Sequence, residues 1–318
     1  MTFDEATPES GSRDVVLVVN PAAGGGRGAR VAPRVRAALE DDGWRVDPYL
    51  TKELDDARRL AMQVPARRRL VVVGGDGLIG RAAEGAVSSG AWFTPLPAGR
   101  GNDFCRALGV PLDPLVAVRG LRWASRRSVD LGTVTIGDTT HTFVCVVSLG
   151  FDSVANEIAN ATPYLSGTAV YVYAAIRAMV TWHPATFILD AHGVVSRHTG
   201  WTVAVGNCGQ YGGGMRICPD AELDDGVLDV TLVGAVSKPS FLATLPKVFT
   251  GRHLDHPMVD VLRVTDLRVD ADRAFAVYAD GELLGRLPAQ LGVLPKALEV
   301  LVSVGPAAAG TARGADTR

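Results

Sequence analysis

The sequence predicts a mixed α/β protein: an N-terminal doubly wound α/β domain with a parallel sheet, followed by a C-terminal β-sandwich-like domain. Three observations lead there. Between residues 14 and 130, short unbroken apolar runs alternate with stretches of helical periodicity, as strands covered on both faces require. After Asp130 the texture changes to short β-rich runs separated by turn residues. Glycine-rich turns directly follow several of the early strands, where open parallel sheets place their ligands.

The elements follow in order. Val15–Val19 is a continuous apolar run and reads as the first strand. The turn Asn20-Pro21-Ala22-Ala23-Gly24-Gly25-Gly26 leads into a helix with Val31, Val35, Ala38 and Leu39 on one face, stopped by Gly43. Trp44–Leu50 reads as a strand. Thr51 is a candidate N-cap for a helix carrying Leu54, Ala57, Leu60, Ala61 and Val64 at helical spacing. Leu70–Val73 is the next strand, followed by a glycine turn, a helix from Leu78 to about Val87, and a strand near Trp92–Leu96. Asp113-Pro114 supplies an N-cap and a first-turn proline for a helix to about Ala124. Such a β-α-β series packs a parallel sheet between helices.

In the second half, strands are expected at Val129–Ile136, His141–Leu149, Ala185–Ala191, Thr199–Val205, Val227–Val233, Val259–Val264, Leu267–Asp270 and Ala274–Ala279. Helices are expected near 166–182 and 237–250. The domains are read as 14–130 and 131–304, with a cleft between them and with residues 291–304 returning to the first; 1–13 and 305–318 read as disordered tails.

Composition narrows the partners. A net charge of −2 and 21% charged residues exclude the broad basic footprint of a nucleic-acid binder, and Arg67-Arg68-Arg69 reads as the solvated lead-in to a strand. Four cysteines without CxxC spacing read as reduced, buried thiols of a cytoplasmic protein. His253 and His256 flank a proline-containing loop and read as surface residues. Residues 1–13 are polar and acidic, unlike a signal peptide. Leu165–Trp182 is short for a membrane span and carries Arg177. It reads as a core helix, or else as the lipid-facing helix of a peripheral protein.

Five constellations could carry chemistry. The first is Asn20-Pro21-x-x-Gly24 after the first strand. Next come two glycine turns, Gly74-Gly75-Asp76-Gly77 and Gly99-Arg100-Gly101-Asn102-Asp103. Their glycines let the backbone approach a bulky anion, and the helix after the first presents amides to it. A carboxylate in such a turn repels phosphate unless a cation or a proton transfer accompanies it. The fourth is Gly212-Gly213-Gly214 followed by Asp224-Asp225-Gly226, a hairpin turn or a hard-oxygen site for Mg²⁺ or Ca²⁺. The fifth is Asp280-Gly281-Glu282, a hairpin signal whose glutamate would suit a general base.

Taken together these runs resemble the bacterial diacylglycerol kinase family, the lipid-kinase group that includes sphingosine and ceramide kinases. The resemblance rests on NPxxG at Asn20, GGDG at Gly74, GxGND at Gly99, Arg127-x-x-Asp130, the GGG-x-x-x-x-P-x-A-x-x-DDG run from Gly212, and the late DGE, and spans residues 14–302. It implies an ATP-binding α/β domain and a β-sandwich domain, with transfer of the ATP γ-phosphate to a lipid hydroxyl, most simply that of diacylglycerol. It implies that Asn20, Pro21, Ala22, Ala23, Gly24, Thr51, Gly75, Asp76, Gly77, Leu78, Gly99, Arg100, Gly101 and Asn102 hold ATP. Asp76, Asp103 and Asp130 would organise Mg²⁺, and Glu282 would accept the proton. Asp225 would hold a structural Mg²⁺, with Glu222 and Val227 at the neighbouring ligand positions. The family also implies docking at a membrane surface to reach the lipid alcohol, and a homodimer.

The sequence departs from the family where Leu78 replaces a threonine, Gly80-Arg81 an Asn-Glu pair, and Arg100 a common threonine. A lost hydroxyl costs one hydrogen bond of about 1 kcal/mol. Arg81 and Arg100 could offset it through charge-assisted contacts to phosphate. NAD kinase shares a GGDG loop and two-domain plan, but lacks the match at GxGND and DGE. A non-catalytic nucleotide or lipid binder is the third reading, motivated by the departures at Leu78 and Gly80.

Overall fold

The computed structural model describes residues 13–162 and 168–302. The expected tails lie outside these residues apart from Arg13, as do Tyr164–Gly167 of the segment singled out for membrane contact. The chain divides into two units, one of residues up to Val129 with those from Lys296 onward, the other of Asp130–Pro295.

The first unit is the parallel α/β body. Its elements are β1 (Asp14–Val19), α1 (Ala23–Asp41), β2 (Arg45–Leu50), α2 (Leu54–Gln63), β3 (Arg69–Gly74), α3 (Asp76–Ser89), β4 (Trp92–Pro97), α4 (Asp103–Ala107) and α5 (Pro114–Gly120). The strands lie in the order β4-β3-β1-β2, all parallel. Val15, Val18 and Leu70–Val73 are fully buried, which is why these strands read as unbroken apolar runs. From β1 the chain steps to β2 on one side, then returns to β3 on the other. Between β1 and β3 the winding reverses, and a ligand crevice opens at such a point. Helix α2 packs against α3, and α1 against α5.

Thr51 is not the cap of α2. That cap is Glu53, because the Asp56 carboxylate accepts the N–H groups of both Lys52 (2.8 Å) and Glu53 (3.0 Å). Thr51 is instead buried at the end of β2, its N–H donated to Val19 O at 2.9 Å. Arg69 is no solvated lead-in either, since its guanidinium stacks on Trp44, 4.5 Å from the ring centre.

The second unit is antiparallel. It comprises β5 (Ser125–Ile136, shared with the first unit), β6 (Thr139–Phe143), β7 (Val146–Gly150), α6 (Phe151–Asn160), α7 (Thr168–Thr181), β8 (Ala185–Ala191), β9 (Val194–Gly206), β10 (Leu228–Gly234), α8 (Lys238–Val248), β11 (Val259–Val264), β12 (Asp266–Ala271), β13 (Ala276–Ala279), β14 (Glu282–Arg286) and β15 (Ala289–Val302). Strands run in the order β14-β13-β7-β9-β8-β12-β15, and β10 bridges β9 and β11. Past Lys296, β15 belongs to the first unit, where Val300 pairs in parallel with Phe93 of β4.

Two expectations change here. The run His141–Leu149 is two strands, β6 and β7, parted where the chain turns to bind Asp280. Helix α6 was not foreseen. It begins at Gly150 with φ of 88°, and a Cβ there would stand 2.6 Å from Trp201 O. Its first residue, Phe151, is buried with Trp182, Trp201 and Phe241 in an aromatic cluster with centroids 5.0–5.6 Å from Phe151.

Candidate active site

In the first unit, loops from three strand ends meet. Asn20 N–H donates to Val73 O at 3.0 Å, and Ala98 and Gly99 N–H both donate to Gly74 O, at 2.8 and 3.1 Å. Gly24, Gly25 and Gly26 take φ of 57°, 66° and 84°, the left-handed region that glycine enters without strain. A Cβ on Gly24 would lie 2.3 Å from Ala98 O, and one on Gly99 would lie 2.4 Å from Gly75 Cα. The loops therefore touch backbone to backbone. Around Gly25, by contrast, a Cβ would meet nothing within 4 Å, so that side of the cradle is open. Asn20 Oδ1 accepts Ala22 N–H at 2.9 Å and holds the first loop. Gly24→Ala is expected to cost about 2 kcal/mol or more through φ strain and the Ala98 clash. Thermal melts and a nucleotide titration should both register it.

Two carboxylates sit beside this cradle. Asp76 begins α3 and Asp103 begins α4. Asn102, itself left-handed at φ of 54°, clasps Gly99 by accepting its N–H (2.8 Å) and donating to its carbonyl (3.1 Å). Asp76 Oδ1 accepts Phe104 N–H at 3.2 Å. Burial, and then the Asp103 charge, push the Asp76 carboxyl up to about 6, against the pull of the amides of Phe104, Asn102 and Asp103. Two hard-oxygen groups that repel each other beside these loops fit Mg²⁺ chemically.

Leu78 is core, 2% exposed, and packs on Gly74, so the family's hydroxyl has become apolar packing. Arg81 is not available to phosphate as expected. Its guanidinium is engaged by Glu84 (3.4 Å) and Asp55 (3.6 Å). Arg100 is exposed.

In the second unit a polar network organises the remaining carboxylates. Asp130 is fully buried. Its N–H donates to Leu223 O at 2.6 Å, and its Oδ2 accepts Gly226 N–H at 2.6 Å, so β5 grips the Glu222–Val227 loop. Asn207, which sequence reasoning missed, donates Nδ2 to Asp130 O (3.0 Å) and Val144 O (3.2 Å), and its N–H to Cys145 O. Its only signal was a polar residue ending the apolar run of β9. Val144, Cys145 and Val146 in turn give their N–H groups to the Asp280 carboxylate at 2.7–3.2 Å. Asp280 and Gly281 have φ of 51° and 86°, a tight two-residue hairpin. Glu282 starts β14, opposite Ala279. The hairpin that precedes it is thus fixed by an aspartate bound to three amides. At Asp225, one carboxylate oxygen meets the Arg263 guanidinium, and the other accepts Val227 N–H at 3.2 Å.

The same unit holds a cavity of about 40 Å³ lined by Asp152, Thr202, Tyr211, Phe241, Thr244 and His253 among others. Its walls are largely apolar. Tyr211 OH donates to Asp152 Oδ2 at 2.7 Å, and burial raises the Asp152 carboxyl. His253 is a correction to the surface reading. It is 1% exposed and its Nε2–H donates to Ile217 O at 3.0 Å, while burial lowers its pKa and keeps it neutral. All four cysteines are buried free thiols.

The structure thus brings Asn20–Gly24, Thr51, Gly75–Leu78 and Gly99–Asp103 together in the first unit. Asp130, Glu222–Val227 and Glu282 are joined by one network in the second. Comparison with known proteins agrees with this layout. The diacylglycerol kinase catalytic domain matches residues 14–134, and the YegS C-terminal NAD kinase beta sandwich-like domain matches residues 145–302. The chain is 31% identical over 292 residues to a protein named diacylglycerol kinase from Mycobacterium tuberculosis, covering 90% of this chain and 94% of that one. It is 32% identical over 273 residues to a "probable lipid kinase YegS-like" protein of Pseudomonas syringae pv. tomato, covering 84% and 88%. A crystal structure of a diacylglycerol kinase from Bacillus anthracis str. Sterne shares the fold, with a TM-score of 0.66 at 20% identity over 94% of this chain and 99% of that one. By the two family models and by its likeness to full-length relatives, the chain belongs to the diacylglycerol kinase and YegS-like family of lipid kinases.

Proposed function

We propose that this lipid kinase transfers the γ-phosphate of ATP to the free hydroxyl of diacylglycerol, giving phosphatidic acid. The first unit's glycine loops hold the triphosphate, with backbone amides facing it and Asp76 and Asp103 beside it. Bound Mg²⁺ would neutralise the phosphates that these carboxylates otherwise repel. Phosphoryl transfer depends on alignment and charge neutralisation more than on covalent help. What the acceptor needs from the protein is a base, because an alcohol holds its proton far above neutral pH. Glu282 takes that proton. The observation that carries this reading is the anchoring of its hairpin by three amides on Asp280, which holds the glutamate at a fixed point rather than on a loose turn.

The second unit's cavity supports a lipid acceptor. Largely apolar walls with a few polar groups suit an acyl chain joined to a polar backbone. Among the described residues, no helix is long and apolar enough to cross a membrane. Exposed apolar side chains occur on α7 (Ile176 and Val180), on α8 (Leu242) and just past its end (Phe249), and Lys238 Nζ joins the two helices at Val180 O, 2.9 Å away. We assign this face to transient contact with the bilayer that supplies the substrate.

The test is a labelled-ATP assay on vesicles containing diacylglycerol. Label should move into phosphatidic acid; transfer to ceramide or a sphingoid base instead would replace the acceptor, and no transfer to any lipid would defeat the reading. Thr244→Trp, which fills the cavity from α8, is expected to raise KM for the lipid about tenfold, while KM for ATP stays unchanged. That equals roughly 1.4 kcal/mol of lost binding. An equal rise in both constants would dissociate the cavity from the acceptor.

A further inference from the structure

The loop Glu222–Val227 is where the family resemblance puts a structural Mg²⁺. The donors there do not suit one. Mg²⁺ demands near-octahedral oxygen ligands and gives up its water reluctantly. Both Asp225 oxygens already hold protein donors, the Arg263 guanidinium on one and Val227 N–H on the other. Two of the loop's backbone groups are committed as well. Gly226 N–H is given to Asp130 and Leu223 O receives the Asp130 N–H. Among the described residues, no group of three or more His, Cys, Asp or Glu is placed to hold a metal ion.

The arginine is put there by the sheet rather than by chance. Pairing of β10 with β11 sets Arg263 directly opposite Asp229, a cross-strand pair of opposite charge. Its Nε lies 3.7 Å from Asp229 Oδ1, on a side chain only 3% exposed. One fork-shaped cation thus faces two aspartates. Asp220 and Glu222 add their negative charge to the surroundings of Asp229. A planar guanidinium with several N–H donors matches carboxylate pairs that a small octahedral ion does not.

We infer that the Arg263 guanidinium takes the place of a divalent cation in this loop, neutralising Asp225 and Asp229 and tying the loop to β11. Loop order is then independent of free Mg²⁺ and independent of which alcohol accepts the phosphate. One atom stands as the point of competition, because Asp229 Oδ2 is buried with no hydrogen-bond partner.

Thermal melts of the full chain, without nucleotide, in EDTA and in millimolar Mg²⁺ test this. The wild-type midpoint should not respond to Mg²⁺ through this loop, so any response should persist in Asp225→Asn. Arg263→Gln should melt several degrees lower in EDTA, and Mg²⁺ should recover part of the loss. Arg263→Lys, which keeps the charge but not the fork, should melt between wild type and Arg263→Gln, and Asp225→Asn combined with Arg263→Gln should recover folding if the single glutamine variant does not fold. A wild-type midpoint raised saturably by Mg²⁺, with the rise abolished by Asp225→Asn, would overturn the inference. So would an Arg263→Gln protein that melts like wild type in both buffers.

Discussion

Glu282→Gln is expected to lower kcat by about 10²–10⁴-fold, the usual contribution of a positioned general base. The amide is nearly isosteric but accepts no proton at neutral pH. Because the hairpin is held by the Asp280 carboxylate and not by Glu282, its fold should survive the change. ATP affinity should stay near wild type, since the proposed contacts to the triphosphate come from the glycine loops and not from Glu282. Single-turnover phosphoryl transfer together with a nucleotide titration separates the two effects. A glutamine variant that turns over within a few-fold of wild type removes Glu282 from the role. Glu282→Asp should fall between the two, because it keeps the charge and moves it by one methylene.

Asp76→Asn is expected to lose activity and gain stability. The activity loss should be at least about 10–100-fold, as for groups that organise a metal through its surroundings. The stability gain follows from linkage. The Asp76 carboxyl is raised in the folded chain from 3.8 to about 6 by burial and by Asp103. Below the unfolded value, both states hold the proton and the group contributes nothing. As the pH climbs from about 4 to 6, the unfolded chain releases its proton first, so folding becomes less favourable. Above 6 the full penalty applies, on the order of 2–3 kcal/mol. Asparagine keeps the acceptor for Phe104 N–H and carries no charge. Denaturant melts in EDTA should therefore show the variant more stable than wild type at pH 7–8, with the advantage vanishing below about pH 4. A variant less stable than wild type at neutral pH would contradict the buried repulsion.

Both residues stood out in the sequence for the same reason: each adjoins a glycine turn, Asp76 at the start of α3 and Glu282 at the start of β14. The parallel strands were legible too. Val15–Val19 and Leu70–Val73 are buried throughout, and burial on both faces leaves unbroken apolar text. What escaped depends on partners distant along the chain. Asn207 gains its meaning from Asp130 and Val144, and Asp280 from amides some 135 residues earlier. No local pattern announces such pairings. His253 looked like a surface residue because its neighbours are polar and turn-forming, yet Ile217 O takes its ring nitrogen into the interior. Thr51 lost the capping role because Asp56 bonds two amides at once, a cooperative geometry that a single good N-cap residue does not reveal. Helix α6 had no capping signal at Gly150, and an aromatic cluster, not local propensity, fixes it.

The parallel pairing of Val300 with Phe93 sets a schedule for synthesis. When the ribosome has finished Val129, β4 still lacks its neighbour on one side. Its unpaired amides and carbonyls, beside the wholly buried Phe93 and Leu96, form a sticky border that invites association with other chains. The strand that seals it contributes Leu298 and Val300, 1% and 0% exposed, and is made only after the second unit. The flank therefore stays open while the whole of residues 130–295 is made. A chain cut after Pro295 would leave that flank open permanently and is expected to aggregate.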